Sequence, residues 1–294
     1  MRLSRATRKS GPASRIRGCA TSSGVSVLTR DAVNGPVPHD SAPRLLRRVQ
    51  AAGGQLLSVY EDASRRWLSI DGEFVQSLMH MASPDELMLP QQQAMMLALL
   101  WRPRPRRILN LGLGGGGFER FFYSRFPGAV CQSVELLPEL VTVVEQFFQP
   151  PANLTVMIQD AEQFLAQSEE QFDLVLADLF CEQTHPDCLY DTYFYRDAAR
   201  AIGRSGVFSI NLAPLDEDDR RALLSALRQA FNHVAAIVVE GFDNLVCIAT
   251  QRPPPDVPQL TARAARGAAR WGLDLAPLLS ALQQLPARRA VFGY

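Results

Sequence analysis

The chain has 294 residues, 47% of them hydrophobic, and its 30 basic and 30 acidic residues give a formal net charge of zero. Such a chain can bury a sizeable core, whereas the balanced charge argues against nucleic acid or a membrane surface as the main partner. No apolar run reaches the ~20 residues that a membrane-spanning helix needs. The five cysteines and four histidines have no metal-ligand or CxxC spacing, which predicts a cytoplasmic protein without a metal site.

The N-terminal part of the chain changes character twice. Residues 1–45 begin with a basic, Ser/Gly/Ala-rich stretch that predicts a disordered tail, with an organelle transit peptide as the alternative. Residues 46–88 contain three short strand-like runs, and the tight-turn dipeptide Asp71-Gly72 separates the last two. The runs are 55–60, 67–70 and 73–78. Such a small β domain must pack on the rest of the chain or on a second subunit to be stable.

From 89 to 252 the predicted elements alternate between strands and helices. After a buried helix over 89–101, strands are predicted at 107–111, 129–135, 154–158, 172–178 and 206–211, with helices between them and after the last. This alternation predicts an α/β fold with a mostly parallel sheet. Only four residues separate the final strands, 235–240 and 245–251, so these form an antiparallel hairpin. By analogy this is a Rossmann-like, methyltransferase-type sheet. Two helices, 260–271 and 276–285, are predicted within 253–294.

The glycine loop after the first predicted strand of this sheet is the first candidate binding element. Gly112, Gly114 and Gly116 form a GxGxxG pattern between an apolar strand and a helix start. Glycines permit a tight turn and let the backbone approach a ligand beside a helix N-terminus. The context predicts a nucleotide-type ligand, with a merely flexible loop as the alternative.

Acidic residues close three further predicted strands, where ligands of open α/β sheets bind. Glu135 is placed to accept ribose hydroxyls, and a solvated acid is the alternative. Asp160, followed by the small Ala161, is placed to accept an adenine amino group and is also a good N-cap. Asp178 emerges from an apolar strand, where it would hold an amine or take its proton; a loop cap is the alternative.

From about residue 55 to 251 the sequence resembles the spermidine synthase (polyamine aminopropyltransferase) family. The resemblance rests on Ile70-Asp71-Gly72, Asp85-Glu86, Leu111–Gly117, Glu135, Asp160-Ala161, Phe172–Asp178, Leu189, Phe194, Tyr195, Gly206 and Asn211. It implies a homodimer that transfers an aminopropyl group from decarboxylated S-adenosylmethionine to a small amine such as putrescine. It also implies that Asp178 is the catalytic aspartate and that the glycine loop, Glu135, Asp160 and Ala161 bind the donor.

The chain departs from the family pattern in the half of the site that reads polyamine charge. Gly115 stands where the family has the aspartate that binds the donor's amine, and Cys181 and Glu182 replace the end of its Asp-x-x-Asp-Pro motif. Leu89-Pro90-Gln91 replaces Tyr-His-Glu, and Thr184-His185 replaces the gating Gly-Pro. Glu182 and Tyr190 are the candidate acceptor-binding residues, and Asp187 or Asp191 are further substitutes. The alternatives are an S-adenosylmethionine-dependent methyltransferase on the same scaffold and a non-catalytic paralogue; a nicotinamide dehydrogenase fits the terminal hairpin and Asp160 poorly.

Overall fold

The computed structural model describes residues 42–72, 74–179 and 185–286. Within these ranges the strands form a four-stranded N-terminal sheet and an eight-stranded central sheet. All but the last four residues of the tail predicted over 1–45 fall outside them. No helix in the described part of the chain is long and apolar enough to cross a membrane.

The N-terminal sheet is an antiparallel meander. Its strands are β1 (Arg44–Gln50), β2 (Leu56–Glu61), β3 (Arg65–Ile70) and β4 (Phe74–His80), hydrogen-bonded in chain order. The first strand was not predicted, because it is largely exposed and its sequence does not alternate between apolar and polar residues. Asp71 and Gly72 have φ values of 54° and 80°, the left-handed pair that a type I′ hairpin turn requires.

The central sheet confirms the predicted fold class. Its strands are β5 (Arg107–Leu111), β6 (Val130–Glu135), β7 (Thr155–Ile158), β8 (Leu174–Ala177), β9 (Val207–Leu212), β10 (His233–Val238), β11 (Leu245–Thr250) and β12 (Gln283–Gln284). The spatial order is β12-β10-β11-β9-β8-β5-β6-β7. The five strands from β9 to β7 are parallel. By contrast, β11 runs antiparallel to both β9 and β10, as the predicted C-terminal hairpin requires.

Helices cover both faces of the central sheet. They are α1 (Pro90–Met95), α2 (Ala98–Trp101), α3 (Gly117–Arg125), α4 (Pro138–Phe147), α5 (Ala161–Gln167), α6 (Thr192–Ile202), α7 (Glu217–Ala230), α8 (Val257–Trp271) and α9 (Ala276–Ala281), with a 3₁₀ helix at Asp187–Tyr190. One apolar core joins the sheet to α5, α6 and α7, and another joins it to α1, α2, α3 and α8. A third core packs the N-terminal sheet against α4, which supplies the support that this small sheet needs.

Two predicted helices differ from the structure. The segment 89–101 forms two short helices, because the backbone N–H groups of Met96 and Leu97 bond to carbonyls three residues back, in the tighter 3₁₀ pattern. The helix predicted over 276–285 ends at Ala281. The residues after it, Gln283–Gln284, pair with β10, where an edge strand offers unpaired backbone groups.

Candidate functional site

A cleft of ≈ 190 Å³ lies at the carboxyl ends of the parallel strands. The N-terminal sheet lies against its opposite side. The predicted site residues that line it are Gly112, Gly114, Glu135, Asp160, Ala161 and Asp178, and the N-terminal sheet and the turn before β2 add Gln55, Leu68, Ile70 and Gln76. The structure therefore brings the predicted donor-binding residues other than Gly116, together with the predicted catalytic aspartate, into one cleft.

The glycine loop is held in a shape that side chains would oppose. Gly112, Gly114 and Gly116 have φ values of 92°, 52° and 71°, in the left-handed region that favours glycine. A Cβ on Gly112 would lie 2.5 Å from the carbonyl oxygen of Asp178. Gly116 is the N-cap of α3 and is absent from the cleft lining, so it shapes the loop without lining the cleft.

A buried arginine ties this loop to its surroundings. The Arg120 guanidinium donates hydrogen bonds to the carbonyl oxygens of Gly115 at 2.5 Å, Phe148 at 2.7 Å and Pro84 at 2.5 Å. Burial lowers the pKa of Arg120 to about 10, so the side chain remains charged at neutral pH. It joins the loop, the end of α4 and the segment that follows the N-terminal sheet.

The buried carboxyl group of Glu119 supports the glycine loop through Asn110. Asn110 Nδ2 and Ser133 Oγ donate to Glu119 Oε1 at 2.7 and 2.5 Å, and Asn110 Nδ2 also donates to the Gly112 carbonyl at 2.8 Å. Glu119 is 1% exposed, and this burial raises its pKa. Glu119 therefore fixes the amide that holds the first residue of the loop.

The N-terminal sheet occupies the space beside Gly115. The hydroxyl of Ser77 on β4 accepts a hydrogen bond from the Gly115 backbone N–H at 2.6 Å. A Cβ on Gly115 would lie 2.7 Å from Ser77 Cβ and 3.3 Å from Phe148 Cδ1. An aspartate, which the family pattern has at this position, would not fit without a shift of these neighbours.

Glu135 closes β6 opposite the glycine loop. Its Oε2 accepts from the backbone N–H of Leu113 at 2.9 Å, and its Oε1 accepts from that of Leu137 at 3.0 Å. Burial raises the pKa of Glu135, while these backbone hydrogen bonds oppose the rise. A carboxylate has about four lone-pair sites, so this fixed group retains acceptor capacity toward the cleft.

Asp160 caps a helix and also lines the cleft. Its Oδ1 accepts from the backbone N–H of Gln163 at 2.9 Å, which caps α5. The same residue lines the cleft, together with Ala161. The cap thus orients a carboxylate toward the ligand space.

Asp178 lies where β8 ends between β5 and β9. Burial raises its pKa, against the effect of a hydrogen bond that Asn211 Nδ2 donates to its Oδ1 at 2.9 Å. Asn211 Oδ1 in turn accepts from Asn244 Nδ2 at 3.0 Å. A carboxyl group with a raised pKa is better suited to accept a proton near neutral pH.

Of the two predicted acceptor-binding residues, the structure describes only Tyr190. Glu182, like Cys181, lies outside the described residues. Tyr190 is 39% exposed and absent from the cleft lining; partial burial and a hydrogen bond with Asp219 raise its pKa. Cys188 lines the cleft instead, and burial raises the pKa of its thiol to about 12. The thiol of this wall residue is therefore neutral at neutral pH.

Sequence reasoning missed the side chains contributed from outside the strand ends. Gln55 and Gln76 line the cleft, and Ser77 holds the glycine loop. The available signal was weak, namely polar residues in or beside otherwise apolar predicted strands. Asn244 lies in a hairpin turn and carried no signal.

Comparisons with known proteins identify the family of the chain. The family model described as "Spermine/spermidine synthase domain" matches residues 90–242. The chain belongs to this family. It is 29% identical over 246 residues to a polyamine aminopropyltransferase from Chromobacterium violaceum, which covers 81% of this chain and 94% of that protein. The suspected resemblance is therefore confirmed, and the protein is an enzyme of the transferase class.

Solved structures share the fold of this family member. A probable spermidine synthase from Corynebacterium glutamicum superposes with a TM-score of 0.68 at 16% identity, over 83% of this chain and 91% of that one. Human methyltransferase-like protein 13 in complex with SAH superposes with a TM-score of 0.52 at 20% identity, over 69% of this chain and 93% of that one. The same sheet therefore serves aminopropyltransferase-like and methyltransferase-like proteins.

Proposed function

We propose that this family member transfers an aminopropyl group from decarboxylated S-adenosylmethionine to a primary amine of a di- or polyamine such as putrescine. The observation that carries the proposal is the convergence of Glu135, Asp160 and Asp178 on one cleft beside the glycine loop. Family membership supports the reaction. The structural likeness to a methyltransferase-like protein crystallised with SAH supports an S-adenosyl ligand on this fold.

The donor half of the cleft has groups for each part of an adenosine. Glu135 accepts hydrogen bonds from the ribose hydroxyls, and Asp160 accepts one from the adenine amino group while Ala161 leaves room for the ring. The backbone of Gly112 and Gly114 approaches the donor closely because neither residue carries a side chain. No metal is needed for this binding.

The transfer itself is a displacement at the carbon next to the sulfonium. The amine lone pair forms the new C–N bond while the C–S bond breaks, and its electron pair returns to sulfur to give neutral methylthioadenosine. An alkylamine with a pKa of ~10 arrives protonated, so a base must remove a proton before attack. Asp178 is the proposed acceptor of that proton, and alignment of the amine with the carbon supplies the rest of the rate enhancement.

For the acceptor half of the site, two proposed residues come from the sequence and not from the cleft geometry. We propose Glu182 as a carboxylate for the distal ammonium of the acceptor and Tyr190 as a contact for its chain.

We also propose that the protein acts as a homodimer in the cytoplasm, which sedimentation at several protein concentrations and fractionation of cells would test.

The experiment combines binding and turnover. Calorimetric titration with decarboxylated S-adenosylmethionine should show binding to the wild type and to D178N, since Asp178 lies at the reacting end and not at the nucleoside. Mass spectrometry should detect methylthioadenosine and the extended polyamine with the wild type but not with D178N. Binding without product from any di- or polyamine would overturn the proposed reaction.

A methyltransferase is the second candidate, and Gly115 is the observation that favours it. This position lacks the carboxylate that would read the donor's amine, and its N–H is occupied by Ser77. Intact S-adenosylmethionine carries an additional carboxylate, which the amide groups of Gln55 and Gln76 on the cleft wall would hydrogen-bond. Tighter binding of S-adenosylmethionine than of its decarboxylated form would favour this candidate.

A further inference from the structure

We propose that Asn244 is a positioning residue that acts through Asn211 to keep Asp178 in its proton-accepting form. The inference rests on the proposed function of Asp178 and adds a residue from the antiparallel hairpin to the site. Asn244 does not line the cleft, so its effect reaches the substrate only through the side chains of Asn211 and Asp178.

Strand register places the three residues in a row. Ala177 of β8 pairs with Ile210 of β9, so the next residues, Asp178 and Asn211, lie side by side at the carboxyl ends. On the other side, Asn211 pairs with Val246 of β11. Asn244, two residues before Val246, is then a diagonal neighbour on the same face, within reach of a side-chain contact.

The direction of each hydrogen bond follows from chemistry. Asn211 is 1% exposed, so both ends of its amide need partners within the protein. Its Nδ2 donates to Asp178 Oδ1 at 2.9 Å, and its Oδ1 accepts from Asn244 Nδ2 at 3.0 Å. Because the Asn244 amide supplies a donor, it selects the Asn211 rotamer whose N–H faces the carboxylate.

The opposite Asn211 rotamer would change the protonation of Asp178. If the amide turned over, its oxygen would face an oxygen of Asp178. These two oxygens can form a hydrogen bond only when the carboxyl group carries a proton to donate. Burial already favours the protonated form of this group. Asn244 therefore opposes burial, and it keeps the carboxylate available to take a proton.

Other titratable groups near Asp178 must be separated from this effect. Glu135, Asp160 and Cys188 line the same cleft. His185 Nε2 accepts from the backbone N–H of Ala213 at 2.7 Å, just beyond β9, and burial lowers its pKa. The Asn244 amide donates to Asn211 and does not line the cleft, so substitution of Asn244 should leave the other groups unchanged.

The test is a pH titration of Asp178 in the full chain, followed by NMR of ¹³Cγ-labelled aspartate and assigned by comparison with D178N. In N244A the titration midpoint should move upward. In N244D it should move further upward, because a carboxylate accepts from Asn211 Nδ2 and forces the opposite rotamer. The acidic limb of the kcat profile should move in parallel, with kcat below the midpoint falling about three- to tenfold in N244A and the KM for the donor unchanged.

Asn232 provides the matched control. It is an exposed asparagine whose Nδ2 donates to the Gln251 carbonyl at 3.1 Å, away from the cleft, so N232A should leave the Asp178 midpoint unchanged. The backbone carbonyl of Asn244 accepts from Val239 N–H and is retained in both variants, which thermal unfolding would verify. An unchanged midpoint in folded N244A and N244D overturns the inference even if turnover is normal. Shifted midpoints without any turnover would instead contradict the proposed reaction alone.

Discussion

The contact between Gly115 and Ser77 makes the sharpest stability prediction. In G115A the new Cβ would lie 2.7 Å from Ser77 Cβ, a distance at which one side must move. Overpacking of this kind costs about 1–3 kcal/mol. The backbone of Gly115 is outside the left-handed region, since its φ is not among the positive values, so the cost comes from space and not from backbone strain.

A double-mutant cycle isolates that cost. S77G removes both the Cβ and the hydroxyl that accepts the Gly115 N–H at 2.6 Å, and a buried N–H without an acceptor costs about 1–3 kcal/mol. In S77G/G115A the methyl group enters the vacated space. The double variant should therefore be more stable than the sum of the single effects by about 1–2 kcal/mol.

The assay is urea unfolding of the four proteins, with S77A as the matched control. S77A also removes the hydroxyl but retains the Cβ at 2.7 Å, so S77A/G115A should be additive. Additive costs in the cycle that combines S77G with G115A would refute the reasoning. So would equal coupling energies in the S77G and S77A cycles. The same packing predicts that G115D, which restores the family's aspartate, is destabilised in the wild-type background and recovers part of its stability with S77G.

Three other predictions follow from the site and its surroundings. G112A should lose donor binding in calorimetry by at least tenfold, because its Cβ would lie 2.5 Å from the Asp178 carbonyl and a backbone atom cannot turn away; wild-type affinity would contradict this. Burial raises the pKa of Glu119 in the folded state, so the contribution of Glu119 to wild-type stability falls as pH rises above about 4.5. E119Q cannot titrate, and its unfolding free energy relative to wild type should increase over that range; a pH-independent difference would count against it. Burial alone would raise the pKa of Asp173. Hydrogen bonds from the Arg106 and Arg107 backbone N–H groups and from the Arg102 side chain outweigh burial, so the pKa of Asp173 is lowered below its ordinary value. Its stabilisation is therefore present above pH ~4 and lost below, so the stability deficit of D173N should shrink in acid denaturation.

The order of strands and helices was readable from the sequence because hydrophobic periodicity reflects burial directly. The apolar run of β8 and the glycine loop after β5 located two strand ends, and parallel strands bring such ends to one edge. For this reason the sequence alone predicts that Glu135, Asp160 and Asp178 lie in one cleft. The exposed first strand and the interrupted helix over 89–101 lacked a clear period, and tertiary packing decided both.

The sequence by itself determined the family, the sheet and the residues that the strand ends bring to the cleft, since these depend on local motifs. Only the tertiary structure decided which residues close the cleft from outside. Gln55 and Gln76 reach it, and Ser77 reaches the glycine loop, because the N-terminal sheet packs on α4. Asn244 reaches Asp178 through Asn211 because β11 is antiparallel to β9. Tyr190, near in sequence, faces Asp219 instead. Contacts between residues distant in the chain depend on how whole elements dock, and no local pattern records that.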